Sequence, residues 1–261
     1  MTQTITKAAG LEEDAARAGP VYVYGFVRSG AVPALREGGV GDAAVTVVEG
    51  DEVVAVVSPI AGADVRLRRR DLHAHLRVIE SIFHSTTILP CPFGTVVSSV
   101  AELEERVLVG AREDLLAGLA RLDGTVQMNV KATYDQEELL RDIVAGDAGV
   151  AALRERTRTA GDAGYYDRLR LGELVAGRIA ERARLDGERL AGALAAEAID
   201  VVVEEPDAGS ALRASFLVAQ TSLGRFDAVL EALASAEQPL LRFEVIGPLP
   251  PTAFAAAYAG T

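Results

Sequence analysis

From Gly124 to the end, the sequence sets out strand, long helical stretch, strand, strand, helix, strand, and few folds accommodate that order. GTVQMNVKATYD alternates Val126, Met128 and Val130 on one side, the pattern of a strand with one buried face. Two helical stretches follow, Gln136 to about Thr159 and Tyr165 to about Ala198, separated by the breaker Ala160-Gly161-Asp162-Ala163-Gly164. IDVVVEE reads as a strand, Pro206 to Gly209 as a turn and ALRASFLVAQTS as another strand. Arg225 to Ala236 reads as a helix and PLLRFEVIG as the last strand. This is the split βαβ order of a ferredoxin-like sandwich, an antiparallel sheet with helices on one face. Its first crossover is long enough to project as a helical hairpin.

The first half is a separate α+β block. VYVYGFV (Val21–Val27) is a buried-strand pattern closed by Ser29-Gly30. Two valine-rich runs around Glu49-Gly50-Asp51-Glu52 predict a hairpin. Leu72, Leu76, Ile79 and Phe83 share one face of a helix expected over 67–83. Ser99, with Glu102 as capping-box partner, predicts a helix running to Asp123-Gly124. The expected organisation is therefore α+β with two domains. A loose tail covers 1–19, an N-terminal α+β domain 20–123, and a modified ferredoxin-like domain 124–261, with its helical hairpin and a proline-rich terminal segment.

The net charge of −12 argues against a nucleic-acid surface, which needs clustered cations. The one basic run, Arg66 to Arg70, leads into a helical pattern and reads as its solvated first turn. A single cysteine excludes an internal disulfide and suits a reducing compartment. The N-terminus lacks the pattern of a secretory signal, and no apolar run is long enough for membrane insertion, so a cytoplasmic protein is expected.

The stretch HSTTILPCPFGTVV sets Cys91 between two prolines, downstream of His84, and invites a reading as a cysteine hydrolase. A nucleophilic thiol needs a cation, a helix N-terminus or an imidazole to lower its pKa. Nothing places His84 against Cys91, and the neighbours Ile88, Leu89, Val96 and Val97 are apolar, so a packed thiol is expected. His73 and His75 are two residues apart on a helix and cannot chelate together, and no metal motif occurs. EGGVGD and GAREDLLAG lack the spacing of phosphate loops. Glu104-Glu105 and Glu137-Glu138 lie side by side on helices and do not converge. No catalytic residue, cofactor or metal is expected. A small-molecule sensor of ferredoxin-like fold is the other competing reading, and it requires an apolar pocket with converging polar groups.

The proline-rich loops remain. Pro248, Pro250 and Pro251 fix an extended segment that is expected to end the last strand's ladder, with Leu249, Phe254 and Tyr258 adding apolar area. Three motifs, in order, resemble the gas vesicle protein F/L family: Tyr22, Tyr24 and Gly25 in YVYGFV; Leu89, Pro90, Phe93, Gly94 and Thr95 in LPCPFGT; and Gly247, Pro248, Pro250, Pro251 and Phe254 in GPLPPTAF. The segment His75 to Glu80 lies between the first two. Leu249 and Thr252 stand where the family usually carries tryptophan and tyrosine.

The resemblance implies a two-domain, non-enzymatic component of gas vesicle formation, associated with gas vesicles, whose partners are the hydrophobic shell protein and other gas vesicle accessory proteins. Strand addition would suit a partner with exposed edges, and IDVVVEE and PLLRFEVIG would be the sheet edges here. The prolines are expected to cover PLLRFEVIG, which leaves IDVVVEE for docking, with an outward N–H at Val202.

Overall fold

The computed structural model describes residues 19–31, 38–60, 68–159 and 164–255. The expected tail up to Ala18, Arg66 and Leu67, most of the breaker after Thr159, and Tyr258 lie outside them. The chain forms two compact units. One comprises the residues up to Val126 and those from Leu249 on, and the other runs from Gln127 to Pro248.

The first unit is built around β1 (Val21–Arg28), which pairs antiparallel with β3 (Val53–Pro59) on one side. On the other side it pairs with two short strands, β4 (Leu89–Pro90) and β5 (Val96–Val97). β2 (Thr46–Glu49) lies outside β3 and joins it in the expected hairpin. Val21 to Val27 are all buried, which is why β1 reads as an unbroken apolar run rather than an alternating one. The β1–β3 register shifts between Val23 and Gly25, so Tyr24 is the extra residue of a β-bulge. Tyr22, Tyr24 and Val27 consequently share one core, a spacing that regular alternation forbids.

Against that core packs α1 (Arg69–Phe83), through Ala74, His75, Val78, Ile79 and Ile82. The expected face of Leu72, Leu76, Ile79 and Phe83 is corrected here, because Leu72 and Leu76 are 36% and 38% exposed. Polar contacts set the helix's rotation. The Asp71 carboxylate accepts the Arg68 N–H at 2.8 Å and the Gly41 N–H at 3.3 Å, and His75 faces Tyr22. The next helical segment starts as expected, with Ser99 Oγ accepting the Glu102 N–H at 3.1 Å. It is not one helix, however. A turn at Val100–Glu102 passes into a π-helix at Leu103–Val109, and α2 (Arg112–Leu122) begins beyond a break at Ala111.

The second unit carries all but the end residues of a second sheet, in which β6 (Thr125–Tyr134), β7 (Asp200–Val203), β8 (Ser210–Ala219) and β9 (Leu241–Leu249) take the order β7-β8-β6-β9, the ferredoxin-like arrangement. Val126, Met128 and Val130 are buried as expected. The crossover holds three helices rather than two: α3 (Gln136–Gly146), α4 (Ala148–Thr159) and α5 (Tyr165–Ala195). Asp147 divides the first stretch. Its extended backbone ends α3, while its carboxylate accepts the Gly149 and Val150 N–H groups and caps α4. α6 (Leu223–Ala236) completes the unit, with Phe226 buried 5.4 Å from Phe216 of β8.

One buried carboxylate ties the long α5 to the sheet. Asp186 accepts the Tyr134 hydroxyl at 2.8 Å and is paired with Arg182 at 2.7 Å and Arg189 at 3.2 Å. Burial alone would raise its pKa, but these donors outweigh it and hold the carboxyl below the ordinary aspartate value.

The two sheet edges differ from expectation. β9 does not stop at the prolines but runs through Pro248 to Leu249, and Glu244 to Pro248 are exposed rather than covered. On β7, the Val201 N–H points away from β8 and is taken by the Asp200 carboxylate at 2.8 Å, while the Glu204 N–H bonds to Arg213 of β8. Strand alternation then directs the Val202 N–H inward, so the expected docking group at Val202 is not on the free edge.

Gly25 allows β4 to cross β1 closely: a Cβ there would lie 2.6 Å from the Leu89 carbonyl oxygen and 3.0 Å from Pro90 Cα. Gly25→Ala should therefore lower stability by about 1–3 kcal/mol, measured by urea denaturation. A neutral result would show that the crossing tolerates a side chain.

Candidate functional site

Two hydrogen-bond relays, both starting on β1, tie helix, loop and strand of the first unit together. In the first, the Gly94 N–H donates to the Tyr22 hydroxyl at 3.0 Å, and that hydroxyl stands 3.0 Å from His75 Nδ1. The ring's bond to the Cys91 main chain favours its protonated form, so the nitrogen that makes it donates there; in the neutral ring Nε2 then carries the proton and Nδ1 accepts the Tyr22 O–H. In the second, the Val40 N–H donates to the Tyr24 hydroxyl at 2.7 Å. Ser58 Oγ donates to the Ala44 carbonyl at 3.0 Å, so Tyr24 O–H donates to Ser58 Oγ, also at 3.0 Å.

The rings pack as tightly as the polar atoms. Tyr22 and Tyr24 centroids lie 5.0 Å apart, Tyr24 stacks on His75 at 5.8 Å, and Phe93 meets His75 edge-on at 5.6 Å. Burial dominates the titration of all three polar rings. It raises both tyrosine pKa values, and it lowers that of His75 from 6.5 to about 4 against the opposing bond to the Cys91 main chain.

The LPCPFGT loop is fastened at each end of its turn. The Cys91 N–H donates to the Tyr24 carbonyl at 2.9 Å, and the Val23 N–H donates to the Thr95 carbonyl at 3.0 Å. Between them Thr95 Oγ1 caps the Pro92 carbonyl at 2.8 Å, and Gly94 sits at φ +97°, a region that side chains avoid. Leu89 and Pro90 pair with Phe26 and Gly25. The first two motifs read from the sequence thus converge on one another, with His75 between them.

The third motif is built separately. A Cβ at Gly247 would lie 2.5 Å from Met128 Sδ, so β9 passes tightly over β6 there. Pro250, Pro251 and Phe254 are buried, and a 3-10 turn at Thr252–Phe254 follows.

Cys91 is buried, and burial pushes its thiol up to about 12. It borders a groove of about 1090 Å³ whose other walls include Val23, Phe26, Leu103 and Arg106. His84 lies elsewhere, at the C-terminal end of α1, with Nδ1 2.6 Å from the Glu80 carbonyl. The thiol therefore has no imidazole aimed at it, and it is the main chain of Cys91 that meets His75. His73 is exposed, and no group of three or more metal-binding side chains occurs among the described residues. No helix among them is long and apolar enough to cross a membrane.

The model of the family described as gas vesicle synthesis protein GvpL/GvpF matches residues 20–256. The chain belongs to the GvpL/GvpF family. Gas vesicle protein F of Streptomyces sp. (strain CB03234) is 37% identical over 242 residues, covering 89% of this chain and 98% of that protein. Gas vesicle protein F1 of Halobacterium salinarum is 32% identical over 132 residues, 47% of this chain and 62% of that one. The crystal structure of GvpF from Anabaena superposes with a TM-score of 0.76 at 21% identity, covering 91% and 98% of the two chains. That from Microcystis aeruginosa gives 0.70 at 20% identity, covering 90% and 98%. Membership gives the chain a gas-vesicle-related role, and the solved structures share its α+β fold.

The burial of His75 has a pH consequence. In the unfolded chain the imidazole titrates near 6.5, and in the folded chain near 4. Below pH 6.5 the unfolded state binds the extra proton. The stabilisation from a neutral His75 is therefore complete above pH 6.5 and is lost as the pH falls toward 4, by about 3 kcal/mol in all. Denaturation of the wild type should weaken by that much more than His75→Gln between pH 7 and 4. Parallel pH profiles would contradict the neutral-ring assignment.

Cys91 should resist alkylation in the folded protein at neutral pH. Cys91→Ala should cost about 1 kcal/mol and leave gas vesicle formation intact. Rapid alkylation under native conditions would contradict the buried thiol.

Proposed function

We propose that this chain is a non-enzymatic, cytoplasmic assembly factor that binds the hydrophobic gas vesicle shell protein and supports vesicle formation alongside other accessory proteins. The observation that carries this reading is an apolar patch on an acidic chain. Ile199, just before β7, and Val202 and Val203 on it are 53%, 37% and 57% exposed, ahead of Glu204 and Glu205. Exposed apolar side chains next to like charges suit a protein that shields a hydrophobic partner and keeps the complex dispersed.

The Tyr22, Tyr24 and LPCPFGT positions support the same reading from the other direction. Their hydrogen-bonding groups are spent on one another within the fold, so family membership and reactivity do not point to one centre. At β7 the partner is met by side chains more than by ladder bonds, since Asp200 already holds the Val201 N–H.

Val203→Lys places a charge in the patch at an exposed position. It should leave the fold intact and weaken capture of the co-expressed shell protein at least about tenfold. Capture at wild-type strength by the folded variant would remove β7 as the docking surface.

A further inference from the structure

We propose that β9 is a self-association edge, along which two copies of this chain pair antiparallel about a two-fold axis through Phe243. β9 is an outer strand of its sheet, and its residues from Glu244 to Pro248 are exposed, including Val245 at 39% and Ile246 at 63%. An edge of that length with open apolar side chains is a template for pairing unless something guards it. Alternation puts Leu241, Phe243 and Val245 on the face toward the buried core and Arg242, Glu244 and Ile246 on the other. Leu241 is buried and Phe243 half-buried, in agreement with that assignment.

The charges decide between a guard and a code. In the register centred on Phe243, Arg242 of one protomer lies opposite Glu244 of its partner, and the two-fold repeats the pair. Phe243 then meets Phe243, and Leu241 meets Val245. Such directly opposed residues have Cβ atoms about 4.5–5.5 Å apart, within reach of both ion pairs and apolar contact. A slip of two residues in either direction sets Glu244 against Glu244 or Arg242 against Arg242. A slip of one residue sets charge against apolar side chains. One register is therefore favoured, and the strand Leu-Arg-Phe-Glu-Val is self-complementary in it. Glu244 makes no ion pair among the described residues, and Arg242 has only a contact of 4.0 Å with Asp135, both side chains being exposed. Glu244 is thus uncommitted, and the long, exposed Arg242–Asp135 contact is weak enough to yield to a closer partner.

The opposite edge lacks this property. β7 has four residues, its Val201 N–H is held by Asp200, and two antiparallel copies centred on Val202 would set Asp200 of each against Glu204 of the other. The occupant favoured at β9 is thus a second copy, and the interface is isologous, closing at the dimer. It is independent of the shell-protein contact placed at β7.

Sedimentation equilibrium on the purified full-length chain across a dilution series is the test. The wild type should shift with concentration from 27.4 kDa toward twice that mass. Glu244→Arg and Arg242→Glu, each creating two like-charge pairs, should weaken self-association about tenfold or more. The double variant carrying both changes restores opposite pairs and should recover the dimer. Val203→Lys on β7 should leave it unchanged. A wild type that stays at the single-chain mass, or a dimer indifferent to either single charge reversal, would overturn the proposal. So would failure of the double variant to recover, since general loss of charge balance or of folding would then explain the singles.

Discussion

The Tyr22 hydroxyl is the point on which the first unit turns. It accepts the amide of Gly94 from the loop and donates to His75 from α1, while its own strand lies at the centre of the sheet. Helix, strand and loop thus share one buried oxygen. In a medium where water is excluded, each of these groups has no other partner within the relay, so losing one strands the next. The second relay, through Tyr24 and Ser58, does the same for the turn at Val40. Regular alternation puts both phenols on one face of β1, and the bulge at Tyr24 brings Val27 into the same core.

This arrangement also explains why a loop rich in catalytic-looking residues is not arranged as a catalytic one. Pro90, Pro92 and Gly94 hold a turn whose backbone serves β1, and the Cys91 side chain lies buried at the edge of a groove. The histidine that approaches Cys91 meets its main chain, not its sulfur. Gas vesicle family membership is consistent with motif positions spent on architecture and with surfaces left free at the sheet edges.

Much of the fold was legible because its signals are local. Val126, Met128 and Val130 announce β6 by alternation alone, and the order of elements after Gly124 then admits one sheet topology, which the structure has. Local pattern misleads where a distant or small group overrides it. Leucine is the stronger apolar signal, so Leu72 and Leu76 were expected inside, but a carboxylate at Asp71 and an imidazole at His75 rotate α1 toward partners 30 and 53 residues away. Asp147 reads as one acid within a helical stretch, and only its cap to the next helix reveals the break. Pro248 was expected to end β9, but a proline on an edge strand sacrifices no inner ladder bond and is tolerated there. The motif residues of the candidate site were legible through resemblance. Their joining through His75 was not, because nothing in sequence spacing says which of three histidines is buried.

Native-state hydrogen exchange at two amides tests the central claim most directly. Gly94 and Val40 donate to the Tyr22 and Tyr24 hydroxyls, so on this account each opens only when the whole first unit unfolds. Both amides should exchange with the same free energy as the core of β1 and rise and fall with it in denaturant. Exchange of Gly94 through a low-energy local opening, with β1 still protected, would show that the loop is a separate mobile element and that the Tyr22 relay does not hold the unit together.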